Sequence, residues 1–133
     1  MKNYKLKSGK ITNRKELLLI LDWCKKKLGR SKYYSIKKIK FRINTKIDYL
    51  GFFSTENNVI YVNPNIHDNF VDLIETIIHE YVHFKQNPRE YERLWRKNLF
   101  MKYFEHPHEE EAERIAQSLG KICYSELRKK KLI

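Results

Sequence analysis

Between Asp68 and Gln86 the chain reads DNFVDLIETIIHEYVHFKQ, and no other stretch restricts the fold as strongly. Phe70, Leu73, Ile74, Ile77, Ile78, Tyr81 and Val82 recur every three or four positions, the spacing of one broad helix face that Asp68 or Asn69 can cap. A helix apolar over so much of its surface has to be buried, so the other residues must form layers around it. Inside the run stand two histidines, His79 and His83, with Glu80 directly after the first. Buried imidazoles need partners for their nitrogens.

The flanking segments supply the layers. Thr12 or Asn13 can cap a helix from Arg14 to Leu28, with Leu17, Leu18, Leu21, Cys24 and Leu28 at helical spacing and Gly29 ending it. Ser35 to Asn44 alternates apolar and basic residues, the pattern of a strand with one wet face. Tyr49–Ser54 and Val59–Asn63 read as two more strands, joined through Thr55-Glu56-Asn57-Asn58 as a hairpin, and Pro64 closes the sheet region. Beyond the central helix, Pro88 starts a helix expected to reach Phe104, with Tyr91, Leu94, Trp95, Leu99 and Tyr103 inward. A last helix is expected from His108 to Leu127. The class is α+β: an N-terminal helix, a small three-stranded sheet, then three helices, in one domain over residues 1–133, with 1–12 and 128–133 loose.

Cys24 and Cys123 lie far apart without CxxC spacing and read as buried thiols. No apolar run approaches the ~20 residues of a membrane span, and MKNYKLKSGK lacks the apolar core of a signal peptide. The expectation is a cytoplasmic protein with no membrane partner. The formal charge of +12 favours acidic partners, nucleic acid first, although lysines occur along the whole chain and also serve solubility.

At 3.6 residues per turn, positions 79 and 83 stack on one helix face, so both imidazoles can direct a nitrogen at one ion. Zinc is the metal this pairing suits. Glu80 lies about 100° around the helix, out of easy ligand reach but placed to take a proton from a water. The extension HExxHxxGxxH is absent, since Gln86 and Arg89 occupy its glycine and third-histidine positions. A third ligand is better sought in HPHEEEAERIAQSLG. There Glu109 heads the stripe Ala112, Ala116, Leu119 and Cys123, whose small residues would let two helices approach closely. Glu111, on a flanking position, is the alternative.

HEYVH followed by a helix with the pattern ExxAE, Glu109 to Glu113, resembles the gluzincin metallopeptidases, in which a second helix carries a glutamate ligand. The small one-domain minigluzincins are nearest in size, and residues 50 to 120 carry the likeness. The resemblance implies a zincin-like domain, one zinc on His79, His83 and Glu109, Glu80 as general base, and a peptide or protein substrate. It implies that Val59, Ile60, Tyr61, Val62 and Asn63 form a sheet edge that pairs with substrate. Tyr103, His106 and His108 are candidate transition-state donors, and Tyr91 a further one. The family also has latent forms, which here would place the RKKKLI tail over the cleft. Two other readings stand beside this one: a basic nucleic-acid-associated protein whose zinc site is structural or vestigial, and a SprT-like protease acting on nucleic-acid-bound proteins.

Overall fold

The computed structural model describes all 133 residues, the side chain of Ile36 excepted. Helix α2, Phe70–Lys85, forms the centre of the fold. Asn69 caps it, its side chain accepting from the Asp72 N–H, and Leu73, Ile74, Ile77, Ile78, Tyr81 and Phe84 have no exposed surface. Full burial of each such side chain stabilises the fold by roughly 1.5–3 kcal/mol. Helix α1, Arg14–Leu28, covers one side of α2, and helix α4, Pro107–Lys129, packs along another in the most extensive helix contact of the molecule.

The remaining face of α2 meets a three-stranded sheet of β3 (Lys40–Ile43), β4 (Gly51–Ser54) and β5 (Val59–Val62). The β4–β5 hairpin is antiparallel as expected, with Gly51 opposite Val62 and Ser54 opposite Val59. β3 joins the other side of β5 in parallel, giving the order β3-β5-β4. This corrects one expectation: β5 is the central strand, hydrogen-bonded on both sides, so Val59–Asn63 is not a sheet edge. The free edge beside α2 is β4.

Four boundaries also differ from the sequence reading. Residues 1–12 are not loose. Asn3–Lys5 (β1) and Ile11–Asn13 (β2) form a hairpin that buries Leu6, and the Lys7 and Ser8 N–H groups donate to the His67 and Asp68 carbonyls. Ser35–Asn44 is strand only from Lys40, because Ile36–Lys38 turns as a short 3-10 helix. Helix α3 is Pro88–Lys97 and stops at Asn98 rather than Phe104. None of its residues is buried, and Leu99 and Tyr103, expected inward, are 80% and 60% exposed. α4 continues to Lys129 and Ile133 packs on the core, at the end of α4 remote from Glu109. Leu127 lies about 27 Å along the helix from Glu109 at 1.5 Å per residue, so the RKKKLI tail does not cover that site.

Candidate metal centre

His79 and His83 rise from α2 toward the first turn of α4, where Glu109 is buried at 3% exposure. Ala112, Ala116 and Gly120 follow Glu109 on the buried side of α4, and their small size allows the approach. The His79 and His83 Nε2 atoms lie 3.1 and 2.7 Å from Glu109 Oε1, and 3.2 Å from each other. Donors on one tetrahedral zinc at ~2.0–2.1 Å stand roughly 3.3 Å apart. The spacing fits.

The outer nitrogens decide what these atoms need. Gln86 donates its amide N–H groups to the His108 carbonyl, 2.8 Å, and to Glu111 Oε1, 3.0 Å. Both are acceptors, so Gln86 Oε1 is the atom that faces His83 Nδ1 at 2.6 Å, and that nitrogen carries a proton. His79 Nδ1 likewise faces Glu113 Oε2 at 3.2 Å. The Tyr91 hydroxyl donates to Glu109 Oε2 at 2.8 Å, turning Oε1 inward. In neutral imidazoles both Nε2 atoms are then bare, and two nitrogen lone pairs and a carboxylate oxygen converge on one point. Such a set needs a cation: two imidazoliums side by side, or one metal ion. His79, His83 and Glu109 could together hold a metal ion, and three donors leave a fourth position of a tetrahedral ion open.

The electrostatics agree. Burial works against a charged His79, yet Glu109, Glu80 and Glu113 hold its pKa above the ordinary value. Burial would raise the Glu109 carboxyl, but His79 and His83 outweigh it and hold it well below the usual carboxylate range. Glu80, 7% exposed, is shifted up by burial against the opposing pull of His83 and His79.

Glu80 lies in the wall of the cleft beside Gly51, Phe52 and Phe53 of β4. The Leu50 carbonyl accepts from the Asn63 N–H, and alternation along an antiparallel pair therefore turns the backbone groups of Gly51 and Phe53 outward. Gly51 allows the close approach: a Cβ there would stand 2.6 Å from Thr76 Cγ2 on α2. On one side of Glu80 opens a cavity of 420 Å³ with Tyr34, Phe52, Phe53, Tyr91 and Tyr103 among its walls. On the other side a second cavity holds Asp68, Asp72, Glu75 and Glu113.

The other anticipated side chains separate. Tyr103 lines both cavities and Tyr91 the first. His106 is corrected: it is fully buried, its Nε2 donates to the Tyr91 carbonyl at 2.8 Å, and its Nδ1 accepts from the His108 N–H at 3.0 Å. Its ring stacks 4.3 Å from that of Tyr91, so it positions the tyrosine and has no nitrogen left for a substrate. His108 lines neither cavity beside Glu80. Glu111 holds Gln86 instead of reaching the centre. Sequence reasoning did not assign Gln86, although it stands three residues after His83 on the same helix face. Glu113, the last residue of the ExxAE pattern, meets His79.

No family model, curated protein or solved structure matches the chain.

Proposed function

We propose that the chain is a small zinc-dependent peptidase of gluzincin type, with His79, His83 and Glu109 as ligands and a peptide or protein as substrate. One observation carries this reading: three acceptor atoms on three residues converge, each backed by its own hydrogen-bonded neighbour. Zinc held there would polarise a carbonyl oxygen and make a water acidic near neutral pH.

The chain's own residues supply the rest. Glu80, a buried carboxylate with a raised pKa, takes a proton from the attacking water and delivers it to the departing amine nitrogen. The outward backbone of β4 at Gly51 receives an extended peptide by strand addition, the role expected at first for Val59–Asn63. An apolar or aromatic side chain of that peptide fits the cavity between Phe53 and Tyr91. Tyr103, which lines both cavities beside Glu80, is the hydroxyl donor for a developing oxyanion, whereas the one proton of Tyr91 is given to Glu109. Burial, with the charge of Glu109, raises the Tyr91 pKa, so its hydroxyl keeps its proton. Among the described residues no helix is long and apolar enough to cross a membrane. A cytoplasmic setting belongs to the same proposal, since Cys24 and Cys123 are buried free thiols.

The test pairs metal content by mass spectrometry with cleavage of a mixed peptide library by the parent and Glu80→Gln. Near-stoichiometric zinc in both proteins, with cleavage reduced about 10²–10⁴-fold in the variant, is expected. A parent that takes up no zinc on reconstitution, or a variant that cleaves as fast as the parent, overturns the reading.

A further inference from the structure

The charge of this chain is not spread evenly. Residues 25–46 hold ten of the 28 Lys and Arg and none of the 16 Asp and Glu, whereas residues 47–120 hold seven Lys and Arg against thirteen Asp and Glu. The half that carries the metal centre is therefore acidic, and a segment of 22 residues supplies most of the excess.

That segment is built into the fold. It leaves α1 at Gly29, whose carbonyl accepts from the Tyr81 hydroxyl of α2 at 2.6 Å, while Lys85 reaches the Leu28 carbonyl. Tyr34 packs edge-on to Phe53 at 5.3 Å and stacks on Phe84 at 5.8 Å. The Asn58 side chain donates to the Ser35 carbonyl, and the Lys40 N–H donates to the Asn58 carbonyl at 3.0 Å. β3 then runs along the sheet edge opposite β4, with Phe41 buried and Lys40 and Arg42 exposed on either side of it. Lys26, Lys27, Arg30, Lys32, Lys37, Lys38, Lys40, Arg42 and Lys46 are all exposed, and among the described residues none lies within 4.0 Å of a carboxylate.

Nine uncompensated cations on one scaffold repel one another unless an anion of matching extent covers them. We infer that the surface from the end of α1 through β3 binds the phosphate backbone of nucleic acid, without sequence preference. An anionic membrane would be expected to engage apolar side chains beside the cations; among the described residues the exposed large apolar side chain of this face is Tyr33, a ring suited to stacking on a base. Because β3 and β4 are opposite edges of one sheet, a strand lying on β3 leaves the cleft beside Glu80 open. The inference stands apart from the hydrolytic reading and needs no metal.

The test is fluorescence anisotropy of the full chain with labelled mixed-sequence DNA of about 30 nucleotides, single-stranded and duplex, across about 50 to 200 mM salt. If six of the nine cations engage phosphates, log K falls against log salt with slope about −4 on the single strand and about −5 on the duplex, near a thousandfold weakening for the duplex over that range. The variant Lys37→Glu/Lys38→Glu/Lys40→Glu is set against Lys129→Glu/Lys130→Glu/Lys131→Glu, an equal charge change at the far end of α4. Affinity lost at least tenfold more in the first, with a shallower slope, supports the surface. Equal losses overturn it in favour of bulk charge. Binding to phosphatidylserine vesicles but to neither DNA form overturns it in favour of a membrane. Gln replacements at 37, 38 and 40 serve the same comparison if the Glu variant fails to melt cooperatively.

Discussion

Each candidate ligand depends on one neighbour that fixes which of its atoms points inward. Gln86 holds the His83 tautomer, Glu113 holds that of His79, and Tyr91 occupies the outer oxygen of Glu109. Outer partners of this kind typically contribute 10–100-fold to metal affinity. Gln86→Ala and Glu113→Ala should each weaken zinc by about that factor in a competitive chelator titration. Gln86→Ala should be the more severe, because it also releases Glu111 and the His108 carbonyl. Unchanged affinity in both would mean that the tautomers are set by the ion alone. The HExxH spacing announced His79, Glu80 and His83, and a carboxylate heading an apolar stripe announced Glu109. Gln86, Tyr91 and Glu113 were not assigned those roles, since their service depends on how α2, α3 and α4 meet, which no spacing rule encodes. His67 makes a different prediction. It is 1% exposed, with Nδ1 2.7 Å from the Asn63 carbonyl and Nε2 2.8 Å from the Thr76 hydroxyl, and burial lowers its pKa against the raising effect of Asn63. The unfolded chain therefore takes up this proton first as pH falls. The contribution is complete above the ordinary value of about 6.5 and is lost below it, at no more than about 1.4 kcal/mol per pH unit. Urea unfolding of His67→Gln should show a flatter decline between about pH 6.5 and 5 than the parent. Parallel declines would assign the acid sensitivity to other groups.

At the scale of elements, α1 and α2 were readable almost to the residue because Asn13 and Asn69 cap them and their apolar stripes have partners. α3 was overextended for the complementary reason: Leu99 and Tyr103 keep helical spacing but stay largely exposed, and the helix ends at Asn98. The place of β5 inside the sheet could not be read from its own residues, since the order of strands depends on which neighbour pairs with it. The β1–β2 hairpin escaped notice because three-residue polar strands carry no periodic signal, and its stability comes from Leu6 and from backbone bonds to His67 and Asp68. The closeness of α2 and α4 rests on Ala112, Ala116 and Gly120. Ala116→Leu adds three carbons where 1% of the residue is exposed, so the helices must separate. Overpacking of this kind costs about 1–3 kcal/mol, and the same displacement moves Glu109 away from the imidazoles. Urea unfolding should report the first effect and a zinc titration of the folded variant the second. A stable variant with unaltered zinc affinity would show that α4 yields locally rather than as a rigid body.

Across the whole molecule, the separation of charge has a consequence for stability that is independent of any partner. The ion pairs on the surface are largely local, such as Glu92–Arg96 and Glu110–Arg114 four residues apart on exposed helix faces. Pairs of this kind are worth at most about 1 kcal/mol each, so screening them loses little. The crowding of like charge between residues 25 and 46 is the larger electrostatic term, and in the free protein it is unfavourable. Exposed charges closer than the screening length of about 10 Å at 0.1 M salt feel one another strongly at low salt and weakly above it. Added sodium chloride should therefore raise the melting temperature rather than lower it. Lys37→Glu/Lys38→Glu/Lys40→Glu should melt higher than the parent at low salt, with the advantage shrinking as salt is added. Lys129→Glu/Lys130→Glu/Lys131→Glu should gain less, because that tail lies at the far end of α4 and leaves the cluster of residues 25–46 intact. Circular dichroism melts at two salt concentrations distinguish these outcomes. A melting temperature that falls with salt in the parent would mean that favourable ion pairs, including those of Glu109 with His79 and His83, outweigh the repulsion stored along β3.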